Sequence, residues 1–159
     1  MNGRRRRVLR LGVALAAVLM LAVSLPAQAA VTRAGTALGP LEADTVYVSL
    51  DVHGDGLAAR GAFRILHQTP TGIYANLMGD VDCLHNSLGQ LVVVTGTIRA
   101  GFDGEGINPV GHRVTILAGI GPRTNMFLDV SFVSGHTIRP CDAHPIVGIP
   151  ITQGEFRLL

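Results

Sequence analysis

Two short patterns in this chain place a carboxylate and an imidazole two residues apart: Asp51-Val52-His53 and Asp142-Ala143-His144. On a β-strand, residues i and i+2 share a face, so each pair would present an acid and a base side by side. Asp80 and Asp82 have the same spacing. Convergence of Asp51, His53, Asp80 and Asp82 would give a polar cluster able to ligate a divalent ion or to serve as general acid and base. The competing reading is a polar strand face in solvent, because polar residues alternate along any half-buried sheet. The run Asp103-Gly104-Glu105-Gly106-Ile107-Asn108 has oxygen ligands and glycines of the kind calcium uses. It lacks the EF-hand spacing and reads better as a glycine-rich hairpin loop.

Other chemistries find less. The histidines at 53, 67, 85, 112, 136 and 144 form no HExxH or HxH pair. No GxSxG elbow surrounds Ser49, Ser87, Ser131 or Ser134, and such an elbow is what lifts a serine onto a sharp strand–helix turn. The reading therefore assigns no catalytic residue, no metal ligand and no cofactor. A sugar-binding surface wants exposed aromatic rings. The chain has no tryptophan and only Tyr47 and Tyr74, both on the polar faces of their expected strands.

The elements that would position these residues have period two. Val46, Val48, Leu50 and Val52 alternate with Tyr47, Ser49 and Asp51, which predicts a half-buried strand ending at the Gly54-Asp55-Gly56 turn. Further strands are predicted over 59–68, 73–84, 91–100, 111–120 and 126–134, with a closing strand over 152–159. The 73–84 strand puts Ile73, Ala75, Leu77, Gly79, Val81 and Cys83 on one apolar face. Its central Gly79, like Gly96 in the next strand, predicts a bend of the kind that curls a sheet. No segment has convincing helical spacing. The fold expected is all-β: a small antiparallel barrel or barrel-like sandwich of about seven or eight strands. The loop 101–111 and the proline-bearing crossing 135–150 are the two long connections. Binding residues concentrate on such loops, so one end of the barrel is either the functional end or a pair of drift-tolerant insertions.

The N-terminus reads as an export signal. Arg4 to Arg7 and Arg10 precede an uncharged apolar run from Leu11 to Leu25, followed by Pro26 and the small-residue tripeptide Ala27-Gln28-Ala29. Cleavage after Ala29 leaves a leader over 30–44 and a single domain over 45–159. The arginine cluster also suits a twin-arginine signal, with general secretion the preferred route. The apolar run is short for a membrane span, which needs about 20 residues. Five of the 13 basic residues lie in the signal, leaving 8 arginines against 11 acids, a net −3 for the mature chain. A nucleic-acid binder should show a basic stripe, and these arginines are scattered. In an oxidising space Cys83 and Cys141 read as one disulfide, with free thiols or a two-cysteine metal site as the alternatives.

In order, the chain carries VSLDVHGDGLAARGAFRI, GDVDCL, LVVVTGTI, the late Cys141 and PITQGEF. This pattern resembles a group of small secreted β-barrel-like proteins of actinobacteria, uncharacterised in activity. In that group a GxF strand leads to GxVxCL, then AVVTGxI, then a final GxF. The resemblance spans about Val46 to Phe156. It implies a fold and supplies no catalytic residues. Where that group often has an Asp-x-Gly turn, this chain has Ala118-Gly119-Ile120-Gly121. The function expected is a secreted, non-catalytic barrel that binds a small apolar ligand or a cell-envelope partner. The alternative is a barrel cyclase or hydrolase drawing on Asp51, His53, Asp80 and Asp82.

Overall fold

Apolar–polar alternation over 44–53 and near-continuous buried runs over 91–98 and 113–119 make strands of much of the chain, and the computed structural model describes residues 32–33, 37–41, 43–87, 90–122, 124–143 and 147–156. The strands are β1 (Thr32–Arg33), β2 (Ala37–Leu41), β3 (Asp44–His53), β4 (Arg60–Thr69), β5 (Gly72–Ser87), β6 (Leu91–Phe102) and β7 (Arg113–Gly119). Then follow β8 (Gly121–Pro122), β9 (Asn125–Val130), a single helical turn α1 (Ser131–Ser134), β10 (Val147–Pro150) and β11 (Glu155–Phe156). One antiparallel meander runs β3-β4-β5-β6-β7-β9-β10, with β1 and β2 both on the free edge of β3.

The alternation sorts side chains as expected. Val46, Val48, Leu50 and Val52 are buried on the inner face, opposite Ile65 and Phe63 of β4, which in turn face Leu77 and Gly79 of β5. The same face continues through Val94 and Ile98 on β6, Val114 and Ile116 on β7, and Met126 on β9.

Curvature comes from β5. Its pairing slips at His67/Gln68 against β4, and at Met78/Gly79 and Val81/Cys83 against β6. Each slip inserts a residue that increases local twist and bends the ladder. The Phe63 ring lies over Gly79 and Gly96: a Cβ on either would run into that ring and into a backbone carbonyl of the neighbouring strand. The sheet curls until β10 lies beside β2, without a ladder between them among the described residues. The result is a curled half-barrel. One end is closed by Phe156, fully buried where β11 pairs with β8, and by the 54–59 turn, where Gly56 exchanges hydrogen bonds with Leu84.

Cys83 and Cys141 form the expected disulfide, Cα–Cα 5.3 Å, across 58 residues. Cys83 is completely buried, but on the other side of the sheet from Val81. The slip after Val81 sets Asp82 and Cys83 both against Thr95, so parity flips there. The Thr95 hydroxyl donates to Asp82 at 2.8 Å and accepts from the Cys141 N–H at 3.0 Å, which fixes that side as the outer face beneath the 135–143 segment. Leu84 then returns to the inner core.

Other boundaries differ from the sequence reading. Part of the expected leader is structured: Thr32–Arg33 and Ala37–Leu41 complete the edge of β3. Pro40 suits an edge strand, where a missing N–H costs no central ladder bond. The strand expected over 126–134 stops at Val130 and finishes as α1, capped by Gly135 in the left-handed region at φ 73°. Of the closing strand, Glu155–Phe156 forms β11 and Gln153 a single bridge, and residues 157–159 lie outside those described. The expected signal over 1–29 also lies outside them.

Candidate functional site

At the end where β3 begins and β4 finishes, the half-barrel is open, and a cavity of about 550 Å³ enters its interior. Val46, Ile65, Ala75, Leu77, Leu128 and Ile149 form its apolar walls. These are inner-face residues of five strands that the closed end's plug does not reach. Phe132 and Val133 of α1 and Ile107 of the β6–β7 loop extend the apolar surface to the mouth. Ile73, Phe102 and Val110, all at this end of their elements, are exposed as well. Cavities of roughly 300–1,000 Å³ lined this way are where small molecules bind.

The polar groups sit at the rim. His67 keeps the parity of Phe63 and Ile65, so it points inward at the last turn of β4. Its Nε2 lies 2.8 Å from Asp44 Oδ2, at the first residue of β3. Tyr74 was expected on a polar strand face. The His67/Gln68 slip leaves it without a partner across the ladder and turns its ring to the rim, 5.1 Å from the His67 ring. Its hydroxyl donates to Glu105 Oε1 at 3.1 Å. Glu105 is itself positioned by a tight turn, in which its N–H donates to Asp103 Oδ1 at 2.9 Å and Gly106 N–H to the Asp103 carbonyl at 3.1 Å. Gly104 lies flat against the Tyr74 ring, where a Cβ would collide with the ring carbons. Partial desolvation raises the Tyr74 phenol above its ordinary pKa of 10.0, and the Glu105 hydrogen bond and the charges of Glu105 and Asp103 raise it further. On the opposite side, Ser131 Oγ accepts from Arg113 N–H at 3.0 Å, and Phe132 packs edge-on against His112.

The cluster expected from sequence lies elsewhere. Asp51, His53, Asp80 and Asp82 are on the outer face. Asp51 faces Ala62, which faces Asp80, so the two carboxylates are two strands apart, roughly 10 Å at ordinary ladder spacing. His53 Nε2 is 3.5 Å from Asp51, Arg99 is 3.1 Å from Asp80, and Arg113 is 2.7 Å from Asp82. These pairs are spread over the outer face, and neither cavity that the structure shows is lined by any of the four residues. No group of three metal-ligating side chains gathers among the described residues. Asp142 Oδ2 accepts from Arg139 N–H at 3.4 Å, and His144 lies outside the described residues.

The two long connections divide. The 101–111 loop supplies Asp103, Glu105 and Ile107 to the cavity mouth. The 135–150 crossing mostly covers the outer face, burying Ile138, Thr95, Thr115 and Asp129, and only its last strand reaches the cavity, through Ile149. Beneath that crossing Asp129 is 2 % exposed, and it also lines the cavity. Its Oδ2 lies 3.4 Å from His136 Nδ1, and its Oδ1 has no hydrogen-bond partner among the described residues. The sequence reading did not single out Asp44, His67 or Glu105 as a set. One signal was present: His67 is a polar residue on the apolar parity of its strand.

Compared with protein-family models, curated proteins and solved structures, the chain matches none.

Proposed function

We propose that this protein is an exported binding protein that holds one small apolar or amphiphilic molecule in the open end of its half-barrel. The observation that carries this reading is the cavity of about 550 Å³, with apolar walls from five strands and the polar side chains of His67, Tyr74 and Glu105 at its mouth. That is the arrangement by which a site gains affinity from burial and orientation from a few polar contacts. Export is supported by the signal-like N-terminus and by the Cys83–Cys141 disulfide, since such bonds persist in oxidising compartments. The resemblance to small secreted actinobacterial barrels points the same way. The test is native mass spectrometry of protein taken from culture supernatant, followed by uptake of an apolar fluorescent probe. A retained molecule or a saturable probe site is expected, lost when Leu128→Trp fills the cavity. Probe uptake unchanged by that substitution would remove the cavity as the site.

A second reading, catalysis in the same cavity, is favoured by the Asp44–His67 pair. A carboxylate-oriented imidazole facing an apolar volume is how a general base is built. His67→Gln would then abolish conversion of the retained molecule and leave its binding in place. Unchanged conversion would end this reading.

A further inference from the structure

The charged groups that line the cavity are all acidic: Asp103, Glu105 and Asp129. Asp44 adds a fourth carboxylate behind the lining His67 imidazole, and the Tyr74 phenol and Ser134 hydroxyl complete the polar lining. Among the described residues no arginine lines the cavity, and the chain has no lysine. The arginines whose side chains are described lie away from it, with Arg139 on the outer crossing. Arg60 donates to the Leu57 carbonyl, Arg64 to Asn76, and Arg99 and Arg113 to the outer-face aspartates. A carboxylate or phosphate head group would therefore meet carboxylates, and would lose its hydration with no arginine or lysine to pair with. The Tyr74 phenol does not relieve this, because its proton already goes to Glu105. The acidic turn is also rigidly placed, since Gly104 rests on the Tyr74 ring and the Asp103 side chain holds the Glu105 N–H.

Resting on the reading of the cavity as a binding site, the geometry points to its ligand class: an amphiphile whose apolar body fills the half-barrel and whose polar end is a protonated amine held by Glu105 and Asp103. An ammonium offers three donors to a rim that offers acceptors. Hydrogen bonds to charged groups are the stronger ones, and a preference of about tenfold or more over an anionic head follows.

The experiment compares three ligands with the same tail, dodecylamine, dodecanol and dodecanoate, at neutral pH and below their micellar concentrations. Each displaces the uncharged probe N-phenyl-1-naphthylamine from the full chain. Dodecylamine should displace it at a concentration at least about tenfold below dodecanoate, with dodecanol between them. Asp103→Asn with Glu105→Gln should bring the three within a few-fold, and Glu105→Gln alone should remove part of the preference. The pair Asp51→Asn and Asp80→Asn deletes the same charge from the outer face and should leave the preference intact. Dodecanoate binding as well as dodecylamine overturns the inference. So does a preference lost equally in the outer-face variant, which would be a whole-molecule charge effect. If neither the probe nor any of the three ligands binds, the cavity reading itself falls. If all bind alike, only the head-group assignment does.

Discussion

Tyr74 is where the rim's electrostatics can be read directly. Its neutral form is favoured in the folded chain, so its folded pKa lies above the unfolded value of 10.0. The sign follows. The stabilisation is fully present below the unfolded pKa and is lost as pH rises through the higher folded one. In a Tyr47→Phe background, tyrosinate absorbance should rise above pH 10, later than for free tyrosine. Glu105→Gln should move that titration down only part of the way, because desolvation is the larger cause. A Tyr74 titrating at or below the free value would contradict the hydrogen-bonded rim. His67 shows how such residues escape a reading by motif. Its partner Asp44 is 23 residues away and reaches it only because Val46 pairs with His67 across the β3–β4 hairpin. Nothing local in the sequence states that register. The outer-face carboxylates had the opposite fate: their i, i+2 spacing was plain, and it delivered a shared face without a shared site.

Among the elements, β5 decides the shape of the sheet. Its two mid-strand irregularities flank the place where the Phe63 ring fills the space left by Gly79 and Gly96. Gly79→Ala has no room on either side and should destabilise by about 1–3 kcal/mol, as over-packing does. Phe63→Ala should cost more, about 3–5 kcal/mol, by emptying that niche. Denaturant midpoints measure both, and an unperturbed Gly79→Ala protein would mean the bend does not depend on that contact. The strands themselves were legible because alternation is a local property, as Val46 to Val52 illustrates. The bend was foreshadowed by the two glycines. The flip of Cys83 to the outer face was not, because a single inserted residue reverses every later parity and leaves no mark in composition. The same holds for Tyr74, which parity placed in solvent and a slip placed on the rim.

At the scale of the whole molecule, one covalent bond ties the crossing to the sheet it covers. Cys141 is joined to β5, its N–H is bonded to Thr95 on β6, and the neighbouring Asp142 carbonyl accepts from Thr115 on β7. Losing the bond through Cys83→Ser with Cys141→Ser should cost about 4 kcal/mol in the chain-entropy account of a loop this long. Thermal unfolding of the variant should fall accordingly, while the cavity on the opposite face keeps its probe. Loss of probe binding in a variant that remains folded would show that the two faces are coupled.

The unladdered approach of β10 to β2 has a consequence for motion. Every other pair of neighbouring strands in the meander must break backbone hydrogen bonds to separate, whereas among the described residues no ladder joins these two. Local openings follow the path of least stability, so the chain should breathe along this line before it unfolds anywhere else. Amide hydrogen exchange resolves it: the amide protons of Val147, Gly148 and Ile149 should exchange well ahead of those of β6 at the centre of the sheet. A molecule filling the interior should slow the first set and leave the second unchanged. Equal protection along both would mean that the seam is sealed.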